Sequence, residues 1–199
     1  MPYCYVNRHG KSHYFREAAT KTGKLRYYVT TSDQYPNLIG SIPDDYEIAE
    51  LPEDARVVIR KKKPVLIHSH EIETVVDIIS KESAINDFFV YTEEAYLSVY
   101  HSQFNYAGGQ EPNLSREEAK EYYGDEIEKW MRFFTSLRFR LVDKKTRYYQ
   151  AERVVSLGIF DRAFFPVGDE GKLEDLAKEF GQHLGKESFF SIPPILNDE

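Results

Sequence analysis

The opening stretch constrains the fold more tightly than any other. Residues 3–8, 11–18 and 25–31 are extended runs rich in tyrosine, phenylalanine and valine. They are separated by His9-Gly10 and by Lys21-Thr-Gly-Lys24, where glycine supplies the positive φ that tight hairpin connections require. Three such runs with two short turns predict an antiparallel meander. With His9-Gly10 as a two-residue turn, Cys4 pairs Phe15 and Val6 pairs His13 on one face, while Tyr5 pairs Tyr14 on the other. Both faces then carry aromatic or apolar groups.

The rest of the chain mixes the two periodicities, so the expected class is α+β with largely antiparallel sheet under about three helices. The 15 Tyr and 13 Phe favour pleated surfaces, and 41% hydrophobic with 30% charged residues is ordinary globular usage. Residues 33–54, broken by Pro36, Gly40, Pro43 and Pro52, read as irregular with a short strand at 46–49. A strand at 56–60 stops at Lys61-Lys-Lys-Pro64. A helix over 70–81 has Ser69 as cap, Glu71 and Glu73 at its positive end, and Ile72, Val75, Val76 and Ile79 on one face. Residues 88–92 and 95–101 form a hairpin turning at Glu93-Glu94, followed by a loop at 105–113.

Ser115-Arg-Glu-Glu118 fits the reciprocal capping box and starts a helix over 116–134. Its spacing predicts that Ala119, Tyr122, Tyr123, Ile127, Trp130, Met131 and Phe134 are buried together, with Gly124 as a break point. Leu137, Phe139 and Leu141 alternate with Arg138 and Arg140 in a half-buried strand that returns through 143–146 into 148–155. A last helix over 172–184 buries Leu173, Leu176, Ala177, Phe180 and Leu184 and stops at Gly185, ahead of a tail that packs and then frays. The expected organisation is a single domain over 1–199, with 1–63 a candidate β-rich lobe and 64–199 a mixed body.

The net charge of −7 argues against a general nucleic-acid binder but hides an asymmetry. Residues 1–63 carry 11 Lys+Arg against 8 Asp+Glu, and residues 64–199 carry 15 against 25. In the first thirty residues Arg8, Lys11, Arg16, Lys21, Lys24 and Arg26 face only Glu17. Cations interleaved with Tyr5, Tyr14, Tyr27 and Tyr28 are what a sheet needs to hold phosphates and stack bases. Arg8, Lys11, Arg16, Lys24 and Arg26 are therefore the candidate nucleic-acid-binding residues. A second basic, aromatic stretch spans 132–153, through Arg132, Arg138, Arg140, Lys144, Lys145, Arg147 and Arg153, though nearby acids are available to neutralise it.

Phosphate-loop, dinucleotide, nucleophile-elbow and zincin motifs are absent, so no cofactor is expected. His68-Ser-His70 with Glu71 and Glu73 is the best metal candidate, competing with a plain helix start in which Ser69 caps. Cys4, His9 and His13 offer a weaker set that lacks a fourth ligand. Asn113-Leu-Ser115 matches a glycosylation sequon whose serine the capping box already explains. One cysteine, no apolar leader and no run long enough to cross a bilayer predict a cytoplasmic protein with no membrane partner.

The stretches Asn7-Arg-His-Gly-Lys-Ser-His-Tyr-Phe-Arg-Glu17, Ile42-Pro-Asp-Asp-Tyr-Glu-Ile48, Leu137-Arg-Phe-Arg-Leu-Val-Asp143 and His183-Leu-Gly-Lys-Glu-Ser-Phe-Phe190 resemble a group of uncharacterised bacterial proteins. That resemblance implies no activity, cofactor or catalytic residue. The meander alone is similar to the three-stranded arm-binding sheets of phage-type integrases, which grip DNA through a sheet face. The function expected first is a non-enzymatic binding module whose partner is nucleic acid or another protein. The alternatives are a metal-dependent enzyme or small-molecule binder at His68 and His70, and an assembly protein using exposed aromatic surface and the Pro193-Pro194 tail.

Overall fold

The structure, a computed structural model, describes residues 1–105, 114–156 and 162–195. The expected loop beyond residue 105, Asn113 of the sequon and the end of the tail lie outside the described residues. The fold is α+β, with three helices and ten strands in three antiparallel sheets among the described residues. It divides into two compact units, residues 1–63 with 128–130 and residues 64–127 with 131–199. No helix among the described residues is long and apolar enough to cross a membrane.

In the first unit β1 (Cys4–Val6), β2 (Ser12–Ala19) and β3 (Leu25–Thr30) form the expected meander. Its first register is shifted by one residue from the expected one. Cys4 pairs Tyr14, Tyr5 pairs His13 and Val6 pairs Ser12. The cause is Asn7, whose side-chain carbonyl accepts from the backbone N–H of His9 at 3.2 Å and of Lys11 at 2.9 Å. That holds a three-residue loop in which Gly10 takes φ 73°, in place of a two-residue turn. A one-residue slip exchanges the side chains that share a face. The chain then returns along the edge of β2, with the Ile39 N–H donating to the Phe15 carbonyl and the Glu17 N–H to the Asn37 carbonyl. The hairpin of β4 (Tyr46–Glu50) and β5 (Val57–Lys61) completes this unit.

In the second unit five strands pair in the order β10-β9-β8-β7-β6: β6 (Phe88–Glu93), β7 (Tyr96–Ser102), β8 (Phe133–Asp143), β9 (Tyr148–Ser156) and β10 (Arg162–Lys172). Alternation sends Leu97, Val99, Leu137, Phe139, Leu141, Tyr149, Ala151 and Val167 to one face. There α1 (Ser69–Glu82) adds Val75, Ile78 and Ile79, and α3 (Leu173–Gly181) adds Leu173, Leu176, Ala177 and Phe180. A Cβ on Gly181 would sit 2.4 Å from Ile79 Cδ1, so this glycine is what lets the two helices approach. The opposite face packs Phe89, Tyr91, Tyr100 and Phe133 against Phe104, Ala119 and Met131.

The second helix, α2 (Arg116–Tyr123), is much shorter than the 116–134 helix expected from the sequence. Gly124, at φ 84°, caps its C-terminus, a 3-10 turn covers 125–129, and from Phe133 the chain joins β7 as a strand. Ala119 and Met131 are buried as expected, but Tyr122 and Trp130 are 74% and 73% exposed. Strand β10 is not legible in the sequence. Pro166, Gly168 and Gly171 interrupt its alternation, and its pairing shifts between Val167 and Gly171.

Candidate nucleic-acid interface

The two faces of the meander have different fates. Tyr5, His13, Phe15 and Tyr27 share one of them, and it is packed. Phe15 is fully buried, the Tyr27 ring meets Tyr46 at 4.8 Å, and the Tyr5 hydroxyl donates to Glu50 at 3.1 Å. The other face carries Cys4, Val6, Ser12, Tyr14, Arg16, Ala18, Arg26, Tyr28 and Thr30. None of these strand residues is a carboxylate. Val6 is 57% exposed and Tyr28 39%, so this face is open to solvent.

Arg16 pairs with Tyr28 across β2 and β3, and Ala18 with Arg26, placing both arginines on the open face. The Arg16 guanidinium carbon lies 5.0 Å from the Tyr28 ring centroid and 5.3 Å from that of Tyr35. Lys11 and Lys24 are exposed in the two turns at opposite ends of the meander. Arg8 is drawn away from this set, because it pairs with Glu50 at 3.3 Å and donates to the Leu51 and Pro52 carbonyls. Of the four tyrosines singled out by sequence, Tyr14 and Tyr28 face solvent with the arginines, while Tyr5 and Tyr27 are used in packing. Tyr35 was not anticipated. It reaches Arg16 only because the loop after β3 folds back beside β2, and nothing local in the sequence announces that return. The Cys4 sulfur beside Tyr14, then burial and then the neighbouring acid Asp33, raise the Tyr14 pKa.

The second basic stretch is neutralised in part from within its own unit, while Arg132, Lys144 and Lys145 stay exposed. Arg138 and Arg140 both donate to the Glu152 carboxylate at 2.7 Å. Arg138 also lies over the rings of Tyr96 and Phe164. Arg153 is only 8% exposed and Tyr149 is fully buried. No protein-family model, curated protein or solved structure matches this chain.

The expected metal group has a geometric basis and a strong competitor. One ligand atom each from His68, His70 and Glu71 lie within 4.8 Å of one another. Helix α1 begins one residue earlier than expected, with His68 as its cap in place of Ser69. Glu71 accepts from the His68 backbone N–H at 2.8 Å. It also takes Arg147 side-on, through Nε at 2.9 Å and through Nη2, while Arg147 donates further to the Leu66 carbonyl and the Tyr149 hydroxyl. Burial raises the Glu71 pKa, but the Arg147 and His68 hydrogen bonds outweigh it and hold the carboxyl below its usual range. Its lone pairs therefore already have donors. Cys4 and His13 project to opposite faces of the meander and form no shared ligand set, with the His13 ring engaged to the Lys11 carbonyl.

Proposed function

We propose that this protein is a non-enzymatic binding module that holds nucleic acid on the open face of its meander. The observation that carries the reading is the segregation of side chains. Arg16 and Arg26 stand with Tyr14 and Tyr28 on a solvent-facing sheet surface whose strands contribute no carboxylate. The charge distribution supports it, because residues 64–199, with 25 acids against 15 bases, repel a polyanion and leave the basic end as the place of contact.

Fluorescence anisotropy with labelled single- and double-stranded oligonucleotides, across a salt series, tests the proposal. Binding should weaken steeply from low to physiological salt. Arg26→Glu and Lys24→Glu should each weaken it and lower the salt slope by about one unit or more. Absence of binding at low salt, or binding indifferent to both substitutions, refutes it. A second reading, a divalent-metal site serving an enzyme or small-molecule binder, is favoured only by the proximity of His68, His70 and Glu71.

A further inference from the structure

We infer that Arg16 is the phosphate clamp of this interface, positioned before binding by Tyr28 and Tyr35 so that its guanidinium edge meets one backbone phosphate in a bidentate contact. The inference rests on the nucleic-acid reading above and names which group on the ligand this residue takes. Arg16 stands in the middle of β2, where the strand is paired along both edges, by β3 and by residues 37–39. Its Cα is therefore fixed. The two rings come from different places, Tyr28 from β3 and Tyr35 from the loop that follows, and both lie within about 5 Å of the guanidinium, inside cation–π range.

Such contacts engage the flat faces of the cation and leave its N–H edges available, and those edges match two phosphate oxygens. Among the described residues the Arg16 guanidinium makes no hydrogen bond and no ion pair, whereas Arg8, Arg138, Arg140 and Arg147 are each spent on a carboxylate. Asp33, the acid beside this face, accepts from the Gln34 side chain at 2.9 Å. A long side chain normally loses rotamer freedom when it binds. Here the two tyrosines have removed much of it beforehand, which favours affinity without new contacts. The ring faces turned to Arg16 are closed to bases, so this point of the surface reads phosphate and carries no base preference.

The experiment separates charge from geometry. Arg16→Lys keeps the charge but not the fork, so binding of a labelled single-stranded oligonucleotide should weaken about tenfold with an unchanged salt slope. Tyr28→Leu and Tyr35→Leu should each weaken binding several-fold, again with the slope unchanged. In the Arg16→Lys background the same two substitutions should add little, because the rings act through the arginine. Far-UV CD melts of each variant check that the sheet is intact. Wild-type affinity in Arg16→Lys, or fully additive losses in the double variants, overturns the clamp while leaving the binding reading in place. No binding by the wild type overturns both. Anionic phosphatidylserine vesicles distinguish a lipid phosphate; binding to them as tight as to the oligonucleotide also overturns the assignment.

Discussion

Removing Glu71 should cost the second unit more than any other single polar change described above. The carboxylate is 6% exposed and closes three connections at once: the start of α1, the Arg147 side chain in the β8–β9 turn, and through Arg147 the Leu66 carbonyl and the Tyr149 hydroxyl. Taking one partner from a buried ion pair costs about 3–5 kcal/mol, because the other charge is stranded. The Arg147 side chain keeps 23% exposure and can recover some hydration, which places Glu71→Ala near the lower end, at about 3 kcal/mol. Arg147 adds an internal control. It sits at φ 55°, where an L-residue carries roughly 1–2 kcal/mol of strain, so Arg147→Gly should be milder than Arg147→Ala by about 1 kcal/mol. The folded-state pKa of Glu71 is depressed, so its stabilisation is complete above the ordinary value of 4.5 and is lost as pH falls through the folded value. Urea unfolding followed by far-UV CD at neutral pH, repeated toward acid, reads all three effects, with Glu71→Gln flattening the acid limb. A loss below about 1 kcal/mol for Glu71→Ala at unchanged m-value, or a glycine variant no milder than the alanine one, would refute the reasoning.

Ser115 accepts from the Glu118 N–H at 3.2 Å while the Glu118 carboxylate takes the Ser115 N–H at 2.7 Å, so Ser115→Ala should destabilise by about 0.5–2 kcal/mol in denaturant melts. His101 is 3% exposed and bonded to the Ser136 hydroxyl at 2.8 Å; burial lowers its pKa, so the unfolded chain takes up a proton first. Stability should therefore fall as pH drops below about 6.5, and His101→Asn should remove that part of the slope in urea midpoints. Because Arg147 and the His68 N–H already occupy Glu71, elemental analysis of purified protein should find less than one equivalent of zinc, manganese or nickel. A full equivalent that disappears in a His68→Ala, His70→Ala double variant would establish the second reading.

What the sequence reveals here is local, and what it misses is set by partners distant along the chain. The meander, the strands at 46–49 and 56–60, the 3.6-residue stripe of α3 and the Ser115 box are written in neighbouring residues, and the structure has them, adding the pairing of β4 with β5. The β1–β2 register escaped because one side chain, Asn7, captures two backbone N–H groups and lengthens the loop, and no periodicity records that. The over-long α2 has the opposite origin: a helical spacing persists past Gly124, but Phe133 to Thr135 gain more by pairing with β7. Strand β10 carries a glycine where bulk would be expected. At Gly168 a Cβ would lie 2.7 Å from Phe180 Cζ, so the residue answers to a helix that follows it in the chain. The site divides in the same way. Arg16, Arg26, Tyr14 and Tyr28 were visible as a basic aromatic cluster, whereas the diversion of Arg8 to Glu50 and the arrival of Tyr35 depend on tertiary closure.

The strands of the larger sheet lie side by side in chain order, and this bears on how the unit acquires its structure. Every pairing joins consecutive strands, and the β6–β7 and β8–β9 turns are only two and four residues long, so those pairs close with little loop entropy, whereas β7 meets β8 across the thirty residues 103–132. The layer that covers this sheet is different. Val75 and Ile79 of α1 meet Ala177 and Phe180 of α3 only after about a hundred intervening residues have been placed, and Gly181 must arrive for the two helices to close. A nascent chain that has emerged as far as Lys172 therefore holds a paired sheet whose Leu97, Val99, Leu137 and Phe139 face is half covered, and it is in this interval that the chain is most exposed to association with its own copies.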